Sequence, residues 1–137
     1  MRIIGIDYGD ARVGVAVSDP LGITAQGLET VPNRVYDKMF ARVCDIIKTY
    51  NADKIVVGLP RNMNGTEGER STLSREFAAQ LGGVFPGAEM VLWDERLSTV
   101  QAHGILNETN TRGKNRKNVV DTVAASIILQ SYLDSLK

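Results

Sequence analysis

The chain changes period once, at Pro32, and that change restricts the fold more than any other feature. Before it lie three extended runs. Residues 2–8 are short and isoleucine-rich and close on Gly9-Asp10. Residues 12–18, RVGVAVS, alternate valine with small residues and pair with the first run as a hairpin. Gly14 within it marks a close backbone approach or a bulge. After the Asp19-Pro20-Leu21-Gly22 turn, residues 23–31 form a third, less regular strand.

Beyond Pro32, Tyr36, Met39, Phe40, Val43, Ile47 and Tyr50 recur at three- and four-residue spacing, which predicts a helix over 34–50. DKIVVGLP has the continuous apolar run of a strand inside a parallel sheet. A polar loop over 61–66 follows. Thr66 and Glu69 have capping-box spacing, so the next helix starts there and runs to Gly82-Gly83. AEMVLWDE reads as the fifth strand. Ser98 and Gln101 repeat the capping-box spacing and open a short helix to about residue 108. A loop over 109–117 leads to a last helix over 118–135, with Val120, Val123, Ala124, Ile127 and Ile128 on its apolar face. A meander followed by right-handed crossovers predicts one α/β domain over 1–137. Its five-stranded mixed sheet has three antiparallel strands, then parallel ones, and helices flank it.

Composition bounds the setting. The chain has 137 residues, 43% of them hydrophobic, enough for one buried core. No apolar run approaches the roughly 20 residues of a membrane span. The opening MRIIGIDYGD reaches a charged turn too early for a secretory signal. The single cysteine, Cys44, leaves no internal disulfide and reads as a packed core thiol. These features predict a cytoplasmic protein with no membrane partner. Net charge is zero, but RGKNRK at 112–117 is strongly basic, either a solvated loop or one that contacts phosphate.

Ligands of open α/β sheets bind beyond the carboxyl ends of the parallel strands. Asp7 ends the first strand there, Asp94 and Glu95 close the fifth, and Asp121 lies near the start of the last helix. Each has a plain structural reading. Asp7 can cap the Gly9 turn, Asp94 and Glu95 can pair with Arg96, and Asp121, three residues after the candidate N-cap Asn118, can complement the helix dipole. Together they read differently, because converging carboxylates repel unless a cation sits among them. An oxygen-only ligand set suits Mg²⁺ or Mn²⁺. A pair of such ions about 4 Å apart can activate water and stabilise the leaving oxygen in phosphodiester hydrolysis. The single histidine, His103, falls inside a predicted helix, so no Ser-His-Asp set is available.

GIDYGDARVGVAV also resembles the first phosphate loop of the actin, Hsp70 and sugar-kinase superfamily. Those ATPases need a second lobe, for which 137 residues leave no room, and no Walker lysine pattern is present. Four motifs in order carry a better match: GIDYGDARVGVAVSD at 5–19, VVGLPRNMNGTEGER at 56–70, DERLSTVQA at 94–102 and KNVVDTVAASIILQSYLD at 117–134. With these the chain resembles the YqgF/RuvX family, the Holliday-junction-resolvase-like branch of the RNase H-like fold. The resemblance implies a metal-dependent nuclease whose two Mg²⁺ (or Mn²⁺) ions are held by Asp7, Glu95 and Asp121. Strand parity places Glu95 with Val91 and Trp93, and Asp94 stays an alternative. Arg12, Arg61, Arg96, Lys114, Arg116 and Lys117 are candidate phosphate contacts, joined by the helix start near Thr66 as an anion site. The implied substrate is the 5′ end of precursor 16S rRNA. A four-way DNA junction, which would favour a homodimer, is the second reading, and a non-catalytic nucleic-acid-binding domain the third.

Overall fold

The structure, a computed structural model, describes residues 2–62, 64–97 and 114–136, with backbone only for Leu97 and for 114–121. In chain order it contains β1 (Ile3–Tyr8), β2 (Arg12–Ser18), β3 (Ala25–Pro32), α1 (Tyr36–Tyr50), β4 (Lys54–Leu59), α2 (Glu69–Val84), β5 (Glu89–Asp94), a 3-10 turn (Glu95–Leu97) and α3 (Lys114–Ser135). The strands form one five-stranded sheet in the order β3-β2-β1-β4-β5. β1 pairs antiparallel with β2 and β2 with β3, whereas β1–β4 and β4–β5 are parallel. This is the expected mixed sheet. The predicted helix at 98–108 and the loop residues 109–113 lie outside the described residues.

Strand alternation divides the sheet into two apolar faces. Ile4, Ile6, Val13, Val15, Ile55 and Val57 face α1 and α2, where Met39, Val43, Ile47, Phe77 and Leu81 cover them. Aromatic rings close this layer, with Phe77 against Tyr8 at 4.7 Å and edge-on to Phe40 at 6.0 Å. On the other face Ile3, Ala16 and Val56 meet Ala125, Ile128, Leu129, Tyr132 and Leu133 of α3.

At Gly5 the sheet lets α3 approach closely. A Cβ there would stand 2.7 Å from Leu129 Cβ and 3.2 Å from the Ala125 carbonyl oxygen. The crossing at Gly5 also sets which side of α3 is buried. Ala125, Leu129, Tyr132 and Leu133 join Ile127 and Ile128 inside, while the predicted Val123 and Ala124 are only partly covered.

Two helix starts differ from expectation. α2 begins at Glu69 with Gly68 as its N-cap and no side-chain cap. The Thr66 hydroxyl instead donates to Asn64 Oδ1 and accepts from Asn62 Nδ2, so it is consumed in the preceding loop. α3 begins at Lys114, not at 118, because no residue between Gly113 and Asn118 disfavours helix strongly enough to delay it. Asp121 then sits about two turns in, beyond the reach of the N-terminal dipole, so Asn118 is not its cap.

Identical substitutions at two glycines should therefore have opposite signs. Gly5→Ala overpacks the α3 contact and is expected to lower unfolding free energy by about 1–3 kcal/mol. Gly83→Ala, which meets nothing within 4 Å near the end of α2, should be neutral or stabilising by up to about 1 kcal/mol. Chemical denaturation of the two variants measures both.

Candidate active site

Asp7 stands next to last in β1, on the α3 face with Ile3 and Gly5. Its registered neighbour on β2 is Gly14, so no side chain crowds it from that strand. α3 passes over Gly5 at Ala125 and Leu129 and over Gly27 at Thr122, and the Thr122 and Thr30 hydroxyls are hydrogen-bonded at 3.2 Å. Position 121 is one helical turn before Ala125, toward the strand ends at which Asp7 lies. The Asp121 side chain itself is outside the described residues, as are those of Lys114, Arg116 and Lys117.

Glu95 is the first residue of the 3-10 turn after β5. Its side chain folds back over β4: a Cβ added at Gly58 would lie 2.6 Å from Glu95 Oε1 and 2.9 Å from its Cγ. The space left by Gly58 lets this carboxyl reach Asp7, and the two side chains hydrogen-bond each other. Val91 and Trp93 pack on the same face, as strand parity predicted.

A hydrogen bond between two carboxyls requires a proton. Burial, the Asp7 charge and that bond push Glu95 up to about 8. Burial also raises Asp7, opposed by its bond to Glu95 and by the Arg70 charge. Both shifts run the same way, because two carboxyls in contact and out of water resist ionising together. Such a pair fits a divalent cation, which would replace the proton and satisfy both oxygens. Among the described residues no group of three His, Cys, Asp or Glu side chains gathers at one point.

Asp94 is occupied elsewhere. Arg96 Nε and NH2 donate to its carboxylate, the latter at 2.7 Å, and hold it below the usual carboxylate range. This is the plain pairing expected for one acid of the DER motif. Arg96 NH1 also lies 3.6 Å from the position of a Cβ at Gly65, so it spans the loop before α2. Arg61 faces Glu67 at 3.4 Å, and its buried Nε has no hydrogen-bond partner among the described residues. Residues 60–62 and 68–71, Arg61 and Arg70 among them, line an open cavity of about 300 Å³.

Two contributors were not singled out in the sequence. Gly58 lies within the DKIVVGLP run, and parity with Val56 puts it on the α3 face. Arg70, in the first turn of α2, supplies positive charge to both carboxyls. No local pattern distinguishes it from a solvated arginine.

A family model described as "RuvX: Holliday junction resolvase" matches residues 1–135. The chain belongs to the RuvX family. Relatives from Bacillus cytotoxicus (50% identical, covering 98% of this chain and 99% of theirs) and Agathobacter rectalis (50%, 99% and 96%) carry the name "Putative pre-16S rRNA nuclease". The chain also shares its fold with Thermus thermophilus RuvC in complex with a Holliday junction substrate, at TM-score 0.60 and 15% identity over 100% of this chain and 97% of that one. Fowlpox virus resolvase bound to junction DNA gives TM-score 0.60 at 18% identity, covering 99% of both chains. The RNase H-like architecture expected from the four motifs is thereby borne out.

The carboxyl pair has a measurable consequence for stability. The folded chain keeps a proton on Glu95 up to about pH 8, whereas the unfolded chain releases it near 4.5. Over that window the folded state binds more protons, so the Glu95 contribution to stability falls as pH rises. Glu95→Gln, which cannot ionise, should therefore gain Tm over wild type as pH goes from 5 to 8.5 in EDTA. A pH-independent difference would contradict the shared proton.

Proposed function

We propose that this RuvX-family chain is a hydrolase, a metal-dependent endonuclease of one domain that processes the 5′ end of precursor 16S rRNA in the cytoplasm. The observation that carries the reading is the Asp7–Glu95 pair, half-buried at the strand ends of a RuvX-family fold. The names of relatives about half identical along nearly their whole length support the RNA substrate. Among the described residues no helix is long and apolar enough to cross a membrane.

Asp7, Glu95 and Asp121 are assigned as the ligands of two Mg²⁺ or Mn²⁺ ions. Bound there, the ions would supply an activated water and neutralise charge on the departing oxygen. The chain's own residues set the conditions for this. β1 and the 3-10 turn hold the Asp7 and Glu95 oxygens together in a desolvated setting, where charge interactions are stronger than in water. Arg70 favours the ionised form of both carboxyls, the form a ligand set requires. Arg12, Arg61 and Arg96 lie along the same sheet edge and are assigned to backbone phosphates, together with Lys114, Arg116 and Lys117 at the start of α3. Phosphate contacts of this kind position a substrate without reading its sequence.

Resolution of a four-way DNA junction is the second reading, favoured by the family description and by the fold shared with junction resolvases. It calls for a homodimer that presents two sites. A purely binding domain is disfavoured, because two carboxyls in contact repel an anionic backbone unless a cation sits between them.

The test is cleavage of structured precursor RNA and of a four-way DNA junction with Mg²⁺ or Mn²⁺. Wild type is expected to cut the RNA, and Asp7→Asn to lose more than the roughly 10–100-fold typical of an outer-shell partner. Junction cleavage alone would select the second reading. Binding without cleavage of either would overturn the enzyme.

A further inference from the structure

The RuvX chain carries a second cationic cleft on the sheet edge that holds Asp7. It has a volume of about 390 Å³ and is lined by Ala11, Arg12, Thr30, Pro32 and Arg34. Two of these five side chains are guanidinium groups and none is acidic.

Topology puts the cleft on the same edge as the carboxyl pair. Asp7 registers with Gly14 and Gly14 with Thr30, while Arg12 registers with Pro32. The end of β3 thus lies two strands from β1, on the side opposite to β4 and to the Arg61 cavity. At the usual strand spacing this is about 10 Å from the carboxyls. Nucleotides advance about 3.4 Å each along the axis of a duplex, so about three steps cover the distance when the axis runs along the edge.

The cleft is also held in shape. Asn33 Nδ2 donates to the Gly9 carbonyl at 2.9 Å, and the Asn33 N–H donates to the Ala11 carbonyl at 2.9 Å. These bonds tie the β1–β2 turn to the β3–α1 connection. Arg12 follows Ala11 and Arg34 follows Asn33, so the tied segments are the ones that carry the two guanidiniums. Arginine suits a planar, bidentate contact with a phosphate oxygen pair.

We propose that Arg12 and Arg34 form a remote subsite for a backbone phosphate of the nucleic acid, about three nucleotides from the bond that is cut. The proposal rests on the nuclease reading and extends it: Arg34 becomes a substrate-binding residue, and the substrate crosses the sheet edge from β3 toward β4. A continuous phosphodiester strand makes this crossing, whereas a free nucleotide does not.

The test is equilibrium binding of an end-labelled 20-base-pair RNA hairpin and of a four-way DNA junction in EDTA, over a range of salt. Wild type, Arg34→Ala, Arg34→Lys and, as a control, Arg42→Ala are compared. Arg42 is an exposed arginine of α1 already paired with Glu29, so its removal should leave the salt slope unchanged. Loss of one phosphate contact in Arg34→Ala should reduce the slope of log Kobs against log salt by about one and weaken binding at low salt several-fold. Arg34→Lys, which keeps the charge, should retain most of the slope. The nucleic acid that shows the change identifies which backbone the cleft takes. Unchanged affinity and slope in Arg34→Ala, with wild type binding, would overturn the subsite while leaving the nuclease reading standing. Failure of wild type to bind either nucleic acid would overturn both.

Discussion

Two glycines on one face of the sheet decide where α3 and the Glu95 carboxyl can be. Gly5 brings the α3 backbone against β1, since a Cβ there would collide with Leu129 Cβ and the Ala125 carbonyl. Gly58 leaves the space that the Glu95 carboxyl fills, and Ile128 of α3 closes on the same spot, 2.7 Å from where a Cβ would be. Strand parity makes Gly5, Asp7, Val56 and Gly58 neighbours on that face, within two parallel strands at the centre of the sheet. Remove either clearance and helix, turn and carboxyl pair must all shift, because packed interiors deform little.

The electrostatics follow from this packing. Burial that would merely be costly for one carboxyl becomes informative for two, because they cannot both ionise at contact distance without a cation. Asp94, one residue from Glu95, shows the ordinary alternative: it is more exposed to its arginine than to the site, and Arg96 keeps it ionised. One motif thus supplies an acid with a raised pKa and an acid with a lowered one, and only the first touches Asp7. Arginines are distributed around the pair. Arg61, Arg70 and Arg96 lie on the β4–α2 side, and Arg12 and Arg34 across the β2–β3 end.

Much of this was legible in the residues. Period and turn chemistry located the described strands and the first helix to within about two residues, since alternation and 3.6-residue spacing report directly on burial. Asp7 stood out because an apolar strand rarely ends in a carboxylate without a reason. Other features depended on contacts that no local pattern encodes. Thr66 and Glu69 had the spacing of a capping box, but Asn62 and Asn64 took the threonine hydroxyl. The buried side of α3 was set by the crossing at Gly5, not by helix periodicity alone. Arg34 is an isolated arginine in the sequence, and it gains meaning only when Asn33 ties its segment to the turn before Arg12.

The central claim is that Glu95, and not its neighbour Asp94, completes the site with Asp7. The most direct measurement is single-turnover cleavage of structured precursor RNA by Glu95→Gln and Asp94→Asn with Mn²⁺. The account predicts that Glu95→Gln loses at least about 100-fold while Asp94→Asn, which releases only Arg96, stays within about tenfold of wild type. An inactive Asp94→Asn beside an active Glu95→Gln would contradict it.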